Sequence, residues 1–199
     1  MKIVIISGSS RKGSQSIKIS NWLANQLKQN SVQVEILDLY EHALPLQHED
    51  VWADVMGEPA QKLQAILEPA DGFVVVSAEW SGMVPPALKN FFLYVDKSMA
   101  NKPAYLVGVS ATGGGRYPIA ELRMSSYKNT RLVNLPEHLV IEGVNELFNS
   151  DGLEAEAEND KYLRARADYG LKVLVEYTKA LKQVRDSNVS DFATYPFGM

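Results

Sequence analysis

The chain has 199 residues, 46% of them apolar and 22% charged, with a formal net charge of −4 at pH 7. That is the make-up of one globular domain with a real hydrophobic core, and the acidic balance excludes a general nucleic-acid binder, which needs a basic excess to neutralise a phosphate backbone. Cysteine is absent, which removes disulfides, thiolate nucleophiles, iron–sulfur ligation and thiol redox chemistry.

Lys2 to Ser7 reads as a buried strand built on Ile3-Val4-Ile5-Ile6. It runs into Gly8-Ser9-Ser10-Arg11-Lys12-Gly13-Ser14-Gln15-Ser16, and then into a helix to Gln29 with Ile19, Trp22, Leu23 and Leu27 on one face. A strand, a turn rich in Gly, Ser and cations, and a helix start form an anion cradle. Free N–H groups point out of the helix end, hydroxyls donate to oxyanions, and Arg11 offers a planar fork. Val32 to Leu37 is the second strand. Tyr40 to Gly57, with His42, Pro45, His48 and Trp52, has no clean period and reads as a long loop. Pro59 to Leu67 is the next helix, and Phe73 to Val76 a strand buried on both faces.

Ala78-Glu79-Trp80-Ser81-Gly82-Met83-Val84-Pro85-Pro86 follows that strand. An indole and a thioether beside Gly and Pro could wall a flat ring, or Trp80 could pack back on the core. Pro85-Pro86 opens a helix with Leu88, Phe91, Phe92 and Val95 at helical spacing. Ala104 to Val109 is a strand that enters Ser110-Ala111-Thr112-Gly113-Gly114-Gly115-Arg116-Tyr117, where glycines leave backbone N–H groups open to a ligand. A helix through Ile119 to Tyr127 and a short fifth strand, Leu139 to Ile141, come next. The last helix runs from near Leu153 to about Val184, with Leu163, Ala167, Leu171, Leu174 and Leu181 as its buried stripe and Glu154, Glu156 and Glu158 in its first turns. The tail from Asp186 ends in Phe192, Tyr195 and Phe197.

Strands alternating with helices predict an α/β fold: a flavodoxin-like, doubly wound, five-stranded parallel sheet with helices on both faces. One domain over 1–185 and an aromatic tail over 186–199 are expected. Right-handed crossovers place the loops after strands one, three and four at one edge, where they converge on one crevice. A phosphate cradle, an aromatic wall and an N–H-rich loop there suit a planar ring with a single phosphate tail, and flavin mononucleotide fits.

These loops resemble the motifs of the NADPH-dependent FMN reductases of flavodoxin-like fold. Gly8, Ser9, Arg11 and Ser14 match the family's Gly-Ser-x-Arg-x-x-Ser. Glu79, Pro85, Leu88, Lys89 and Asn90 match its second motif, and Ser110 with Gly113 to Gly115 its third. The resemblance implies that Ser9, Arg11, Ser14, Gln15 and Ser16 hold the FMN phosphate. It implies that Glu79, Trp80, Ser81 and Gly82 line the isoalloxazine, and that Ser110, Gly113 and Gly114 close the other side. Ala78, Trp80 and Ser81 replace the family's usual proline, tyrosine and asparagine, which bears on substrate preference. The resemblance also implies a homodimer or homotetramer that uses the helix after the second motif, with Phe91, Phe92 and Tyr94 as interface or core residues.

The expected activity is transfer of hydride from NADPH or NADH through bound FMN to an acceptor such as a quinone, an azo compound, a metal oxyanion or flavin. The protein itself then needs no catalytic acid or base, because the cofactor carries the redox chemistry. The alternatives are a flavodoxin-like FMN electron carrier without NAD(P)H turnover and a flavin-free binding protein on the same fold. His42, His48 and His138 have no metal-ligand spacing, so no metal is expected. No apolar run is long enough to span a bilayer and no leader is visible, so a cytoplasmic protein with neither membrane nor nucleic-acid partner is expected. The tail is expected to dock on a neighbouring subunit or over the crevice.

Overall fold

The computed structural model describes residues 1–47 and 57–198. His48 and Trp52 of the expected loop lie outside the described residues. The elements are β1 (Lys2–Ser7), α1 (Gln15–Gln29), β2 (Gln33–Asp38), α2 (Glu58–Leu67), β3 (Gly72–Ala78), α3 (Pro86–Tyr94), β4 (Pro103–Val109), α4 (Arg116–Ser125), β5 (Val133–Ile141) and α5 (Glu158–Asp186). The sheet is wholly parallel in the order β2-β1-β3-β4-β5. The winding direction reverses between β1 and β3, and a crevice opens there at the carboxyl ends of the strands.

Strand alternation builds two cores. Ile3 and Ile5 of β1 face α1 and α5, together with Val74, Val107 and Leu174. Val4 and Ile6 face the opposite way, toward Leu63 and Leu67 of α2, Leu88 and Phe91 of α3, and Ile119 and Leu122 of α4. Both faces of the sheet are therefore covered, and the strands read as unbroken apolar runs.

The structure departs from the sequence reading at several element bounds, among them the helix expected over Ile119–Tyr127, which runs Arg116–Ser125. β5 is nine residues long rather than three, because Pro136 breaks its apolar pattern without ending it. An edge strand tolerates proline, and the register against β4 shifts between Ala104 and Leu106. α5 begins at Glu158, so Leu153, Glu154 and Glu156 precede it. The cause is Arg164, which is 1% exposed on the face expected to be apolar. Its guanidinium pairs with Asp160 and takes up the carbonyls of Ser150, Gly152 and Glu154, holding them outside the helix. Phe91 belongs wholly to the core, Phe92 and Tyr94 are half-buried, and Leu93 is the exposed apolar residue of α3.

Of the two places expected for the tail, it does not take the one over the chain's own crevice. Asn101 donates to Ser190, Arg131 stacks on the Phe192 ring at 4.8 Å, and Arg131 also donates to the Tyr195 carbonyl. Asn101 and Arg131 precede β4 and β5, so the tail sits at the amino ends of the strands, opposite the crevice. Tyr195 and Phe197 remain exposed.

Candidate functional site

The cradle forms as its residue types dictate. Ser14 caps α1, its Oγ accepting from the Ile17 N–H at 3.2 Å. Ser9 Oγ accepts from the Arg11 N–H at 3.3 Å and tightens the turn. Gly13 adopts a left-handed φ of 58°. The N–H groups of residues 12–16 have no acceptor among the described residues. Ser16 is 1% exposed, yet its Oγ has no partner, and neither has Gln15 Oε1. Buried polar atoms are normally satisfied, so a ligand with oxyanion character fits the orphan hydroxyl and the open amides.

After β3, Trp80 and Met83 exchange both backbone hydrogen bonds, at 3.0 and 2.9 Å, around Ser81 and Gly82. Both central residues have positive φ, 50° and 76°, as in the tightest hairpin turn. Ser81 and Gly82 therefore shape the loop that carries Trp80, and Ser81 lines the groove on the outer side of that indole.

After β4, two carboxylates occupy the glycine turn. Glu79 accepts from the Gly115 N–H, and Glu142 from the Gly114 N–H at 3.1 Å and from Arg116. Arg116, and then the Gly114 amide, hold the Glu142 carboxyl below its usual range. Gly113 alone of the three keeps its N–H without an acceptor among the described residues. The turn lies so close to the sheet that a Cβ on Gly108 would stand 2.0 Å from the Gly115 carbonyl oxygen. Glycine at position 108 is a condition of the loop's placement.

A cleft of about 360 Å³ gathers these pieces. Of the expected site residues, Ser9, Arg11, Ser14, Gln15, Ser16, Glu79, Trp80 and Ser110 line it, whereas Ser81, Gly82, Gly113 and Gly114 do not. Lys12, Gly13, Ala78, Val109, Ala111, Val144 and Asn145 also line it. Val144 and Asn145 form a fourth wall, the loop after β5, which the sequence reading missed. Its signal was available: any loop that follows a parallel strand sits at the same edge. Lys18 of α1 fastens this wall, donating to Val144 O at 2.7 Å, Leu147 O at 2.8 Å and Asn149 Oδ1 at 2.9 Å. Burial pulls the Lys18 ammonium below its usual pKa, against the opposing pull of Asp160 and Glu146. No group of three or more metal-ligating side chains occurs among the described residues.

The family model for NADPH-dependent FMN reductases matches residues 1–146. The chain belongs to that family. The match ends in the Val144–Glu146 turn, so it spans the whole sheet and all four walls of the cleft. Membership makes the chain an oxidoreductase that works with FMN and a reduced nicotinamide nucleotide. An NADPH azoreductase of Bacillus sp. (strain OY1-2) is 28% identical over 146 residues, covering 72% of this chain and 78% of the relative. An FMN-dependent NADPH-azoreductase of Staphylococcus saprophyticus is 29% identical over 128 residues, covering 62% and 68%. Among solved structures, FerB of Paracoccus denitrificans, a flavoenzyme NAD(P)H:(acceptor) oxidoreductase, has a TM-score of 0.65 at 21% identity, covering 88% of this chain and 98% of that one. RosB scores 0.67 at 14% identity, covering 92% and 81%. These two likenesses establish the fold.

Proposed function

We propose that the cleft holds FMN non-covalently, with its phosphate in the α1 cradle and its ring between Trp80 and the loops after β4 and β5. The observation that carries this reading is the run of open amides over residues 12–16 beside Arg11 and the buried, unpartnered Ser16 Oγ. Ser9, Ser14 and Ser16 would donate hydroxyl hydrogens to phosphate oxygens, and Arg11 would pair with the same group across the cradle mouth. Gln15 lines the cradle wall. Glu79 would hold the glycine turn at the ring's edge, leaving the Gly113 amide to face the ligand with Gly114 behind it. Ser81 and Gly82 would support the ring indirectly, by fixing the turn that carries Trp80. FMN supplies the hydride and electron transfer, and the chain supplies position, charge and exclusion of water.

The acceptor we propose is a flat aromatic oxidant, an azo compound or a quinone. Both bacterial relatives are named azoreductases. Outside Trp80 a mainly apolar groove continues along Leu46, Met83, Pro86 and Leu93, a surface that suits an aromatic ring better than a metal oxyanion. Beside that groove, α4 exposes Tyr117 and Met124. We assign this face to a homodimer contact that leaves the groove open; of the two readings for Phe91, interface or core, its full burial supports core. The reading includes one domain over residues 1–185, followed by the tail, and a cytoplasmic location. Among the described residues no helix is long and apolar enough to cross a membrane.

The test is the visible spectrum of the FMN-loaded protein under anaerobic NADPH or NADH. Bleaching, then recovery when an azo dye or quinone is added, is the expected outcome. Bleaching without recovery by either would remove the proposed acceptor class. Failure to retain FMN after desalting would remove the cradle assignment.

A further inference from the structure

Three segments line the groove outside Trp80. One face of α3 contributes Pro86, Lys89, Asn90 and Leu93, which stand at helical spacing. The loop after β3 makes one wall with Trp80 and Met83, and Leu46 of the segment 44–47 makes another. Each wall is anchored from α3. Lys89 pairs with Glu121, whose other oxygen accepts from the Val84 N–H at 2.8 Å. Asn90 holds the Leu46 wall. Its Nδ2 donates to the carbonyls of Pro45 at 2.8 Å and Leu44 at 3.4 Å, and its Oδ1 accepts from the Gln47 N–H at 2.8 Å. Among the described residues, the segment 44–47 makes no other hydrogen bond. Asn90 is 6% exposed, and Leu88 and Phe91 beside it are fully buried. An amide in that place costs desolvation that an apolar side chain would not. Here both its N–H groups and its oxygen are used, and all three bonds go to one irregular segment.

We propose that Asn90 is a positioning residue for the acceptor. By tethering residues 44–47 to α3 it fixes Leu46 as a wall of the groove, and Leu46 in turn sets which ring size binds best. The inference rests on the reading of this groove as the acceptor's place. Leu44 packs against the core, whereas Leu46, two residues on, is exposed. The Trp80 hairpin has its own backbone bridge as well as Glu121 behind it. The Leu46 wall has Asn90 and the Leu44 contact, so the fit of a ligand depends most on the wall that Asn90 holds. The groove has a volume of about 380 Å³, near the lower end for small-molecule sites, which suits one or two fused rings. Leu46 supplies apolar surface that a second ring covers and a single ring leaves free. The pair Asn90 and Leu46 therefore favours two-ring over one-ring acceptors.

The test uses the full-length, FMN-loaded protein, reduced anaerobically with NADPH and then mixed with menadione, a two-ring quinone, or with benzoquinone, a one-ring quinone. Either quinone takes two electrons and two protons and leaves as its hydroquinone. The readout is the ratio of the two reoxidation rate constants, in which the intrinsic reactivity of each quinone is common to all variants. Leu46→Ala should lower the two-ring to one-ring ratio about fivefold, because part of one leucine side chain is withdrawn from the second ring. Asn90→Ala should lower it by a similar factor, and so should Asn90→Asp, which sets a carboxylate against the Pro45 and Leu44 carbonyls. The double variant Leu46→Ala with Asn90→Ala should fall no further than the larger single effect, because both act through one wall. Independently of turnover, exchange of the Gln47 amide, followed by NMR, should quicken at least about tenfold in Asn90→Ala and change less than about twofold in Leu46→Ala. An unchanged ratio in Leu46→Ala, single effects that multiply in the double variant, or a Gln47 amide left slow by Asn90→Ala would each overturn the tether. Reduced wild type that neither quinone reoxidises is a distinct result, which would remove the acceptor reading and this proposal with it.

Discussion

Replacing Ser16 with alanine should move apoprotein stability and cofactor affinity in opposite directions. Ser16 Oγ is enclosed and has no partner, in a residue only 1% exposed. A buried hydroxyl without a hydrogen bond costs about 1–3 kcal/mol in proteins. Its removal gives back part of that cost, less the small void left by one atom. We expect the apoprotein to gain about 1 kcal/mol, or about 2–4 °C in Tm for a chain of this size. With FMN the sign reverses. A hydrogen bond to a charged group contributes about 1.5–3 kcal/mol, so the Kd for FMN should rise about 10- to 150-fold. Thermal melts with and without FMN, together with a flavin fluorescence titration, read both effects on one preparation. A hydroxyl with a merely structural role would lower the apoprotein Tm and leave the Kd unchanged. That pair of results would refute the cradle assignment.

Other outcomes follow from particular contacts. Lys18→Met deletes three bonds of 2.7–2.9 Å that tie the fourth wall to α1 and leaves the carbonyls of buried Val144 and Leu147 without that donor; we expect a loss of about 2 kcal/mol, seen as a lower Tm, and an unchanged melt would exclude the clamp. Ser81 holds a left-handed φ of 50° in a turn that favours asparagine; Ser81→Asn should stabilise the protein by about 0.5 kcal/mol, and a lower Tm would contradict the turn geometry. Burial, helped by the Arg185 charge, pulls the Lys102 ammonium from 10.5 to about 8. Between those values the unfolded chain holds a proton that the folded chain has released, so Lys102 adds stability as pH rises through that window and contributes no slope below it. Urea unfolding at pH 7 and pH 9.5 should show wild type gaining on Lys102→Met by at most about 1.4 kcal/mol per pH unit; a gap that narrows with pH would reverse the assignment.

Much of the fold was legible because it rests on local periodicity. The runs Ile3 to Ile6 and Phe73 to Val76 could only be strands buried on both faces, and Pro85-Pro86 could only open a helix. What escaped depended on partners distant in sequence. The start of α5 is set by Arg164, whose guanidinium reaches back to carbonyls at 150, 152 and 154. An arginine among leucines reads from sequence as a surface residue. The length of β5 was hidden by Pro136, which is harmless only because β5 is an edge strand. In the cleft, residue types pointed to the helix start and its open amides, since Ser14 caps α1 and Ser16 stands in its first turn. Triple glycine announced open amides, but not that Glu79 and Glu142 would fill two of them. That depends on how β3 and β5 bring their carboxylates to one turn.

On the proposed reading, those two carboxylates would let a chain of net charge −4 offer a selective anion site. Two places at the carboxyl edge have backbone donors suited to a phosphate, the α1 cradle and the glycine turn. The protein fills the second with its own negative groups, at Gly114 and Gly115. It leaves the first open, with Arg11 and Lys12 beside it. Arg11 and Lys12 thus stand at one end of the cleft and the Glu79 carboxylate at the other. A ligand with one anionic end is held there in one orientation, and a second phosphate at the far end would meet carboxylates that have already taken its donors. The arrangement supports a mononucleotide as the resident group. It also supports a nicotinamide dinucleotide that approaches over the open rim and leaves again, because at the glycine turn only the Gly113 N–H lacks an acceptor among the described residues.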